Sequence, residues 1–154
     1  MRVLISGGRT LDLAKVLQWL DTNLAIRCAG LPSFIIEGGA TGADQGARMY
    51  RNAHQIAGQT FNAAWENLTL KPCVIKWRAD GSAYNVLAGF ARNQQMIDEG
   101  KPEVAVVFKG GKGTADMVKR LKKAGIEIID ARDDPANLAA NNCTLHWTLP
   151  GEKL

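Results

Sequence analysis

Short apolar runs alternate along the chain with stretches whose apolar residues recur every three or four positions. Val3-Leu4-Ile5, Phe34-Ile35-Ile36 (continuing to 37), Cys73-Val74-Ile75-Lys76-Trp77, Val104-Ala105-Val106-Val107-Phe108 and Ile126 to Asp130 have strand length and are rich in β-branched residues. Between the first two, Leu13, Val16, Leu17, Leu20 and Leu24 keep helical spacing, with Thr10 as the expected cap and Asp12 in the first turn. Ala43, Ala47, Tyr50, Ala53 and Ala57 predict a second helix, small enough on one face to lie close to a sheet. A third helix is predicted over Ala88 to Glu99, stopped by Gly100 and Pro102, and a fourth turns Met117, Val118 and Leu121 inward. This alternation predicts an α/β fold: a Rossmann-like open parallel sheet of about five strands with helices on both faces. Gln59 to Pro72 has no clear period and reads as helix extension and loop. Beyond the turn-rich stretch 130–142, Cys143, Leu145, Trp147 and Leu149 alternate with Thr144, His146 and Thr148, predicting an extra C-terminal strand.

Composition narrows this picture. The 154 residues make one domain, with 131–154 as an extension of it, long enough to bury roughly 68–70% of the unfolded surface. Nineteen Lys+Arg against fifteen Asp+Glu give a net charge of +4, which favours an anionic ligand but is far from a dedicated nucleic-acid stripe. Lys119, Arg120, Lys122 and Lys123 read as a solvated helix end, so nucleic-acid binding is expected to be weak. Cys28, Cys73 and Cys143 form neither a disulfide framework nor a zinc pattern, and His54 and His146 lack ligand spacing; a cytoplasmic protein without metal or cofactor is expected. The absence of a signal-like start or long apolar run predicts no membrane partner. The alternating tail, if exposed as a strand, predicts a homodimer or higher oligomer.

Chemistry concentrates in three glycine-rich loops, each placed where a predicted strand gives way to a helix. They are Ser6-Gly7-Gly8-Arg9-Thr10, Glu37-Gly38-Gly39-Ala40-Thr41-Gly42-Ala43-Asp44 and Lys109-Gly110-Gly111-Lys112-Gly113-Thr114-Ala115-Asp116. Glycine lets the backbone approach an oxyanion closely while the N–H groups of a helix's first turn point at it. Neither the dinucleotide fingerprint nor the triphosphate-gripping P-loop fits these spacings. If the strands at 3–5 and 104–108 are neighbours, the first and third loops face each other where the winding of the sheet reverses.

These loops, together with Ala88-Gly89-Phe90-Ala91-Arg92-Asn93-Gln94-Gln95-Met96, resemble the YspA-type branch of the SLOG superfamily over residues 1–130. The resemblance implies a Rossmann-like fold and a nucleotide or nucleotide-derived ligand. Relatives include the Lonely Guy phosphoribohydrolases, sensors of NAD-derived ADP-ribose signals and the single-strand-binding DNA-processing protein A. Gly110, Gly111, Gly113 and Thr114 match the hydrolases' phosphate loop, and Arg92 resembles their active-site arginine. Lys109 replaces that family's proline and Met117 its catalytic glutamate, while Asp116 lies one residue early, about 100° around the helix.

The expected ligand-binding set is therefore Ser6, Gly7, Gly8, Arg9, Gly38, Gly39, Ala40, Thr41, Asp44, Arg92, Asn93, Gly110, Gly111, Gly113 and Thr114. Arg9 and Arg92 supply directional contacts to phosphate, and Asp44 accepts ribose hydroxyls. Trp77 and Tyr84 are candidates to stack on a base, with core packing the plainer fate of the tryptophan. The leading expectation is a sensor or sequestering module for a small phosphorylated nucleotide or ADP-ribose-like ligand. The alternatives are an N-glycosidic hydrolase of nucleoside monophosphates, with Arg92, Asp116 and Glu37 as its catalytic groups, and a single-stranded DNA-binding module.

Overall fold

A computed structural model of the chain describes residues 1–132. Five parallel strands form one sheet: β1 (Arg2–Ser6), β2 (Phe34–Glu37), β3 (Ala57–Thr60), β6 (Val104–Val107) and β7 (Glu127–Asp130), in the order β3-β2-β1-β6-β7. Four helices cover it: α1 (Leu13–Arg27), α2 (Ala43–Ala53), α3 (Ala88–Asp98) and α4 (Lys112–Lys123). Between β3 and α3 the chain makes a separate antiparallel ribbon from β4 (Ile75–Trp77) and β5 (Ala83–Asn85).

The period-two alternation of strand side chains divides the core into two layers. Val3, Ile5, Ile35, Val104, Val106 and Ile129 face α1 and α2, where Val16, Trp19, Leu20, Leu24, Ala47 and Tyr50 meet them. Leu4, Ile36, Ala105 and Val107 face the opposite way, against Met96, Ile97, Met117, Val118 and Leu121 of α3 and α4. Both faces are thus covered, as a parallel sheet of near-continuous apolar strands requires. The chain winds outward from β1 through β2 to β3, then crosses back to lay β6 on the other side of β1. That reversal opens a crevice at the carboxyl ends of β1 and β6.

The predicted architecture holds, with three local corrections. The stretch Ala57–Thr60 is a strand, pairing Phe34 with Ala57 through Glu37 with Thr60, and α2 ends before it, at Ala53. Its sequence, Ala-Gly-Gln-Thr, has no apolar signal because an edge strand buries little. Cys73 to Trp77, predicted as a strand of the main sheet, instead contributes β4 to the exposed ribbon, and Trp77 is 71% exposed rather than packed in the core. Asp12, not Thr10, caps α1, its side chain accepting a hydrogen bond from the Ala14 N–H at 2.9 Å. The expected C-terminal strand, the oligomer predicted from it and Cys143 lie outside the described residues. Among the described residues, no helix is long and apolar enough to cross a membrane, and no His/Cys/Asp/Glu group has the makings of a metal site.

Candidate functional site

The turns after β1, β2 and β6 converge at the carboxyl edge of the sheet. The Gly8 N–H donates to the Lys109 carbonyl at 2.9 Å, the Ala43 N–H to the Gly8 carbonyl at 3.2 Å and the Thr41 hydroxyl to the Arg9 carbonyl at 2.8 Å. Close packing demands several of the glycines. Gly42 caps α2 at φ +69°, a conformation side chains disfavour, and a Cβ there would run into the Gly8 carbonyl. A Cβ on Gly7 would lie 2.7 Å from Phe108 Cβ and 2.8 Å from Ala43 Cβ, and one on Gly110 would collide with the Thr114 hydroxyl.

These turns wall a cavity of about 530 Å³. Of the predicted ligand set, Ser6, Gly7, Gly8, Arg9, Gly38, Ala40, Asp44, Arg92, Asn93, Gly110, Gly111, Gly113 and Thr114 line it. Gly39 and Thr41 line a neighbouring cavity of about 410 Å³, which shares Arg9, Gly38, Ala40, Trp65 and Arg92 with the first. The larger volume lies in the range of small-molecule sites. Arg9, Arg92, Lys109 and Lys112 bring cations to its wall, against the single carboxylate of Asp44.

Arg92 is held from several directions. Its Nη1 donates to the carbonyls of Gly38 and Phe61, the latter at 3.3 Å, and its Nε donates to Asn93 Oδ1 at 3.2 Å. Asn93 is itself buried and reaches across to α4, its amide donating to the Gly113 carbonyl at 3.1 Å and to Asp116 Oδ2 at 3.0 Å. Asp44, 6% exposed at the start of α2, accepts from the Ala40 N–H at 3.2 Å. Burial pushes its carboxyl up to about 6, outweighing the Ala40 hydrogen bond and the attraction of Arg92. Burial also lowers the pKa of the Arg92 guanidinium, against the opposing pull of Asp44.

The three catalytic candidates stand differently toward the cavity. Arg92 lines the cavity; Glu37 and Asp116 do not. Glu37 is fully buried beneath the second loop, accepting from the Thr60 hydroxyl, from the Gly39 N–H at 2.6 Å and from Arg48 at 2.8 Å. Asp116 accepts from Arg120 at 2.8 Å as well as from Asn93, so it braces the α3–α4 junction. Met117 is fully buried in the core between helix and sheet. Of the basic residues at the end of α4, Lys119, Lys122 and Lys123 are exposed, whereas Arg120 is engaged by Asp116 and Gln94.

Sequence reasoning missed Trp65, which lines both cavities, and Lys112, Val86 and Phe90, which line the larger. Lys112 and Phe90 lie inside the quoted motifs and were legible there; Trp65 lies in a stretch without period. Neither Trp77 nor Tyr84 lines either of these two cavities. No protein-family model matches the chain, and no curated protein matches it.

Proposed function

We propose that the cavity binds a small phosphorylated nucleotide or an ADP-ribose-like, NAD-derived ligand, and that the protein is a sensor or sequestering module of the SLOG type. The observation carrying this reading is the state of Gly113, beside Gly111 at the start of α4. A Cβ on either would meet nothing within 4 Å, and neither has a positive φ. Gly111 is the N-cap of α4, at φ −95° and ψ −144°, a position that itself favours glycine over alanine, but Gly113 stands in the first turn, where neither packing nor a positive φ requires glycine and it forgoes up to about 1 kcal/mol relative to alanine. Glycine at both positions leaves the α4 N-terminus bare toward the cavity, where N–H groups and dipole favour an anion. Arg9, Arg92 and Lys112 on the same wall supply the charge.

The test is thermal melting with adenosine monophosphate, ADP-ribose and adenosine. Ligands that bind only the folded state raise its melting temperature, so the two phosphorylated compounds should raise it and adenosine should do less. Gly113→Leu should abolish the shift without lowering the unliganded melting temperature, since its Cβ enters open space and glycine is the poorer residue within a helix. A flat response across a broad nucleotide panel would sink the proposal.

A hydrolase is the second reading, and Asp44 is the observation that favours it. A buried carboxyl poised near neutrality within the cavity has the character of an acid–base group, whereas Glu37 and Asp116 are engaged elsewhere. Chromatography of adenosine monophosphate incubated with the protein decides between them. Intact nucleotide after hours supports the sensor; base release that disappears in Asp44→Asn supports the hydrolase.

A further inference from the structure

Trp65 has no part in gripping phosphate, yet the fold holds it at the cavity wall. Its carbonyl accepts from the Asn85 N–H at 2.7 Å, fixing the loop against the ribbon. The indole edge lies over Gly89 at the start of α3, where a Cβ would come within 2.9 Å of Trp65 Cη2. Tyr84 meets the indole edge-on with centroids 6.5 Å apart, and the Arg78 guanidinium lies 4.6 Å from the Tyr84 ring centre. The Arg9 guanidinium, 5.3 Å from the Trp65 ring centre, completes a row of two rings with a cation at each end. The other described tryptophans differ: Trp19 is 2% exposed in the core, and Trp77 is exposed on the ribbon and lines neither cavity.

One cavity thus has two chemically distinct parts. The α4 N-terminus offers bare N–H groups and cations, while Trp65, Val86 and Phe90 offer flat and apolar surface. A ligand satisfying both carries an anionic group and a planar ring. We propose that Trp65 is the platform for a planar heteroaromatic ring, so that the site takes nucleotides with the base in place and discriminates against base-free sugar phosphates. This rests on the phosphate reading above and adds a specificity-determining residue to it. A ring laid on the indole gains from stacking, which is largely indifferent to which base is present.

Calorimetric titration of the intact protein with adenosine monophosphate, uridine monophosphate and ribose 5-phosphate tests it. Stacking of one base on an aromatic side chain changes affinity by about 5- to 150-fold, so both nucleotides should bind at least about 5-fold more tightly than ribose 5-phosphate. Trp65→Leu should erase that preference and leave ribose 5-phosphate affinity unchanged, and Trp65→Phe should retain part of it. Equal affinity of the wild type for all three compounds would overturn the inference while leaving the phosphate reading intact, even if Trp65→Leu failed to fold. A preference that survives unchanged in a folded Trp65→Leu would also overturn it. No binding of any of the three would overturn this inference, and the phosphate reading falls with it if ADP-ribose also leaves the melting temperature unchanged.

Discussion

Glu37 ends β2 without any exposure, and each of its carboxylate oxygens is engaged, one by the Thr60 hydroxyl and the other by Gly39 N–H and Arg48. Arg48 also donates to the Ala40 carbonyl at 3.0 Å, so this ion pair fixes the loop that forms one cavity wall. Removing Arg48 alone leaves a buried carboxylate without its cation, which typically costs about 3–5 kcal/mol. Because the arginine side chain retains 28% exposure, Arg48→Met should fall at the lower end, near about 3 kcal/mol in urea unfolding at neutral pH. A loss under about 1 kcal/mol would mean that water reaches Glu37 and screens it. In the sequence, Glu37 reads equally as a surface residue or an acid–base group, because nothing local records that residues 48 and 60 will reach it. Trp65 was illegible for a related reason: its role arises from Gly89, Tyr84 and Arg9, all distant in sequence.

At the level of elements, the glycine-rich turns look alike in sequence and differ in what their glycines do. Gly42 is held by a positive φ and by contact with the Gly8 carbonyl, so Gly42→Ala should destabilise the protein. Gly113, in the first turn of α4 with open space before it, should behave oppositely. Gly113→Ala should stabilise the unliganded protein by up to about 1 kcal/mol through helix propensity, while weakening nucleotide binding by crowding the anion. Paired urea and ligand titrations check this; stabilisation without loss of binding would show that the ligand does not approach α4 there. The same distinction explains why the long apolar strands β1, β2 and β6 were legible and β3 was not. Buried parallel strands announce themselves as apolar runs, whereas β3 is an edge strand of alternating exposure held by backbone pairing to β2. The converse error came from Cys73 to Trp77, whose apolar letters serve an exposed two-stranded ribbon.

Across the whole molecule, the order β3-β2-β1-β6-β7 brings loops far apart in sequence to one crevice and sets Asp44 of α2 near Arg92 of α3, with Glu37 at the end of β2 close behind. Arg9 acts on the same cluster, disfavouring the charge on Arg92. Desolvation is the largest influence on Asp44 and raises its carboxyl from 3.8 to about 6. The folded state therefore binds this proton more tightly than the unfolded state, and stability contributed by protonated Asp44 is present below about pH 4 and lost as pH rises through about 6. A rise of that size corresponds to roughly 3 kcal/mol of preference for the protonated form. Asp44→Asn keeps the shape without the titration, so its stability relative to wild type should improve by an amount of that order between pH 4 and pH 7. Urea unfolding of both proteins across this range isolates Asp44 from carboxylates shifted the other way, such as Asp130, which Arg132 holds at about 2. A difference between the two proteins that runs in the opposite direction would show that attraction to Arg92 prevails over burial, and Asp44 would then stand as a fixed anion in the cavity wall rather than a carboxyl able to shed its charge.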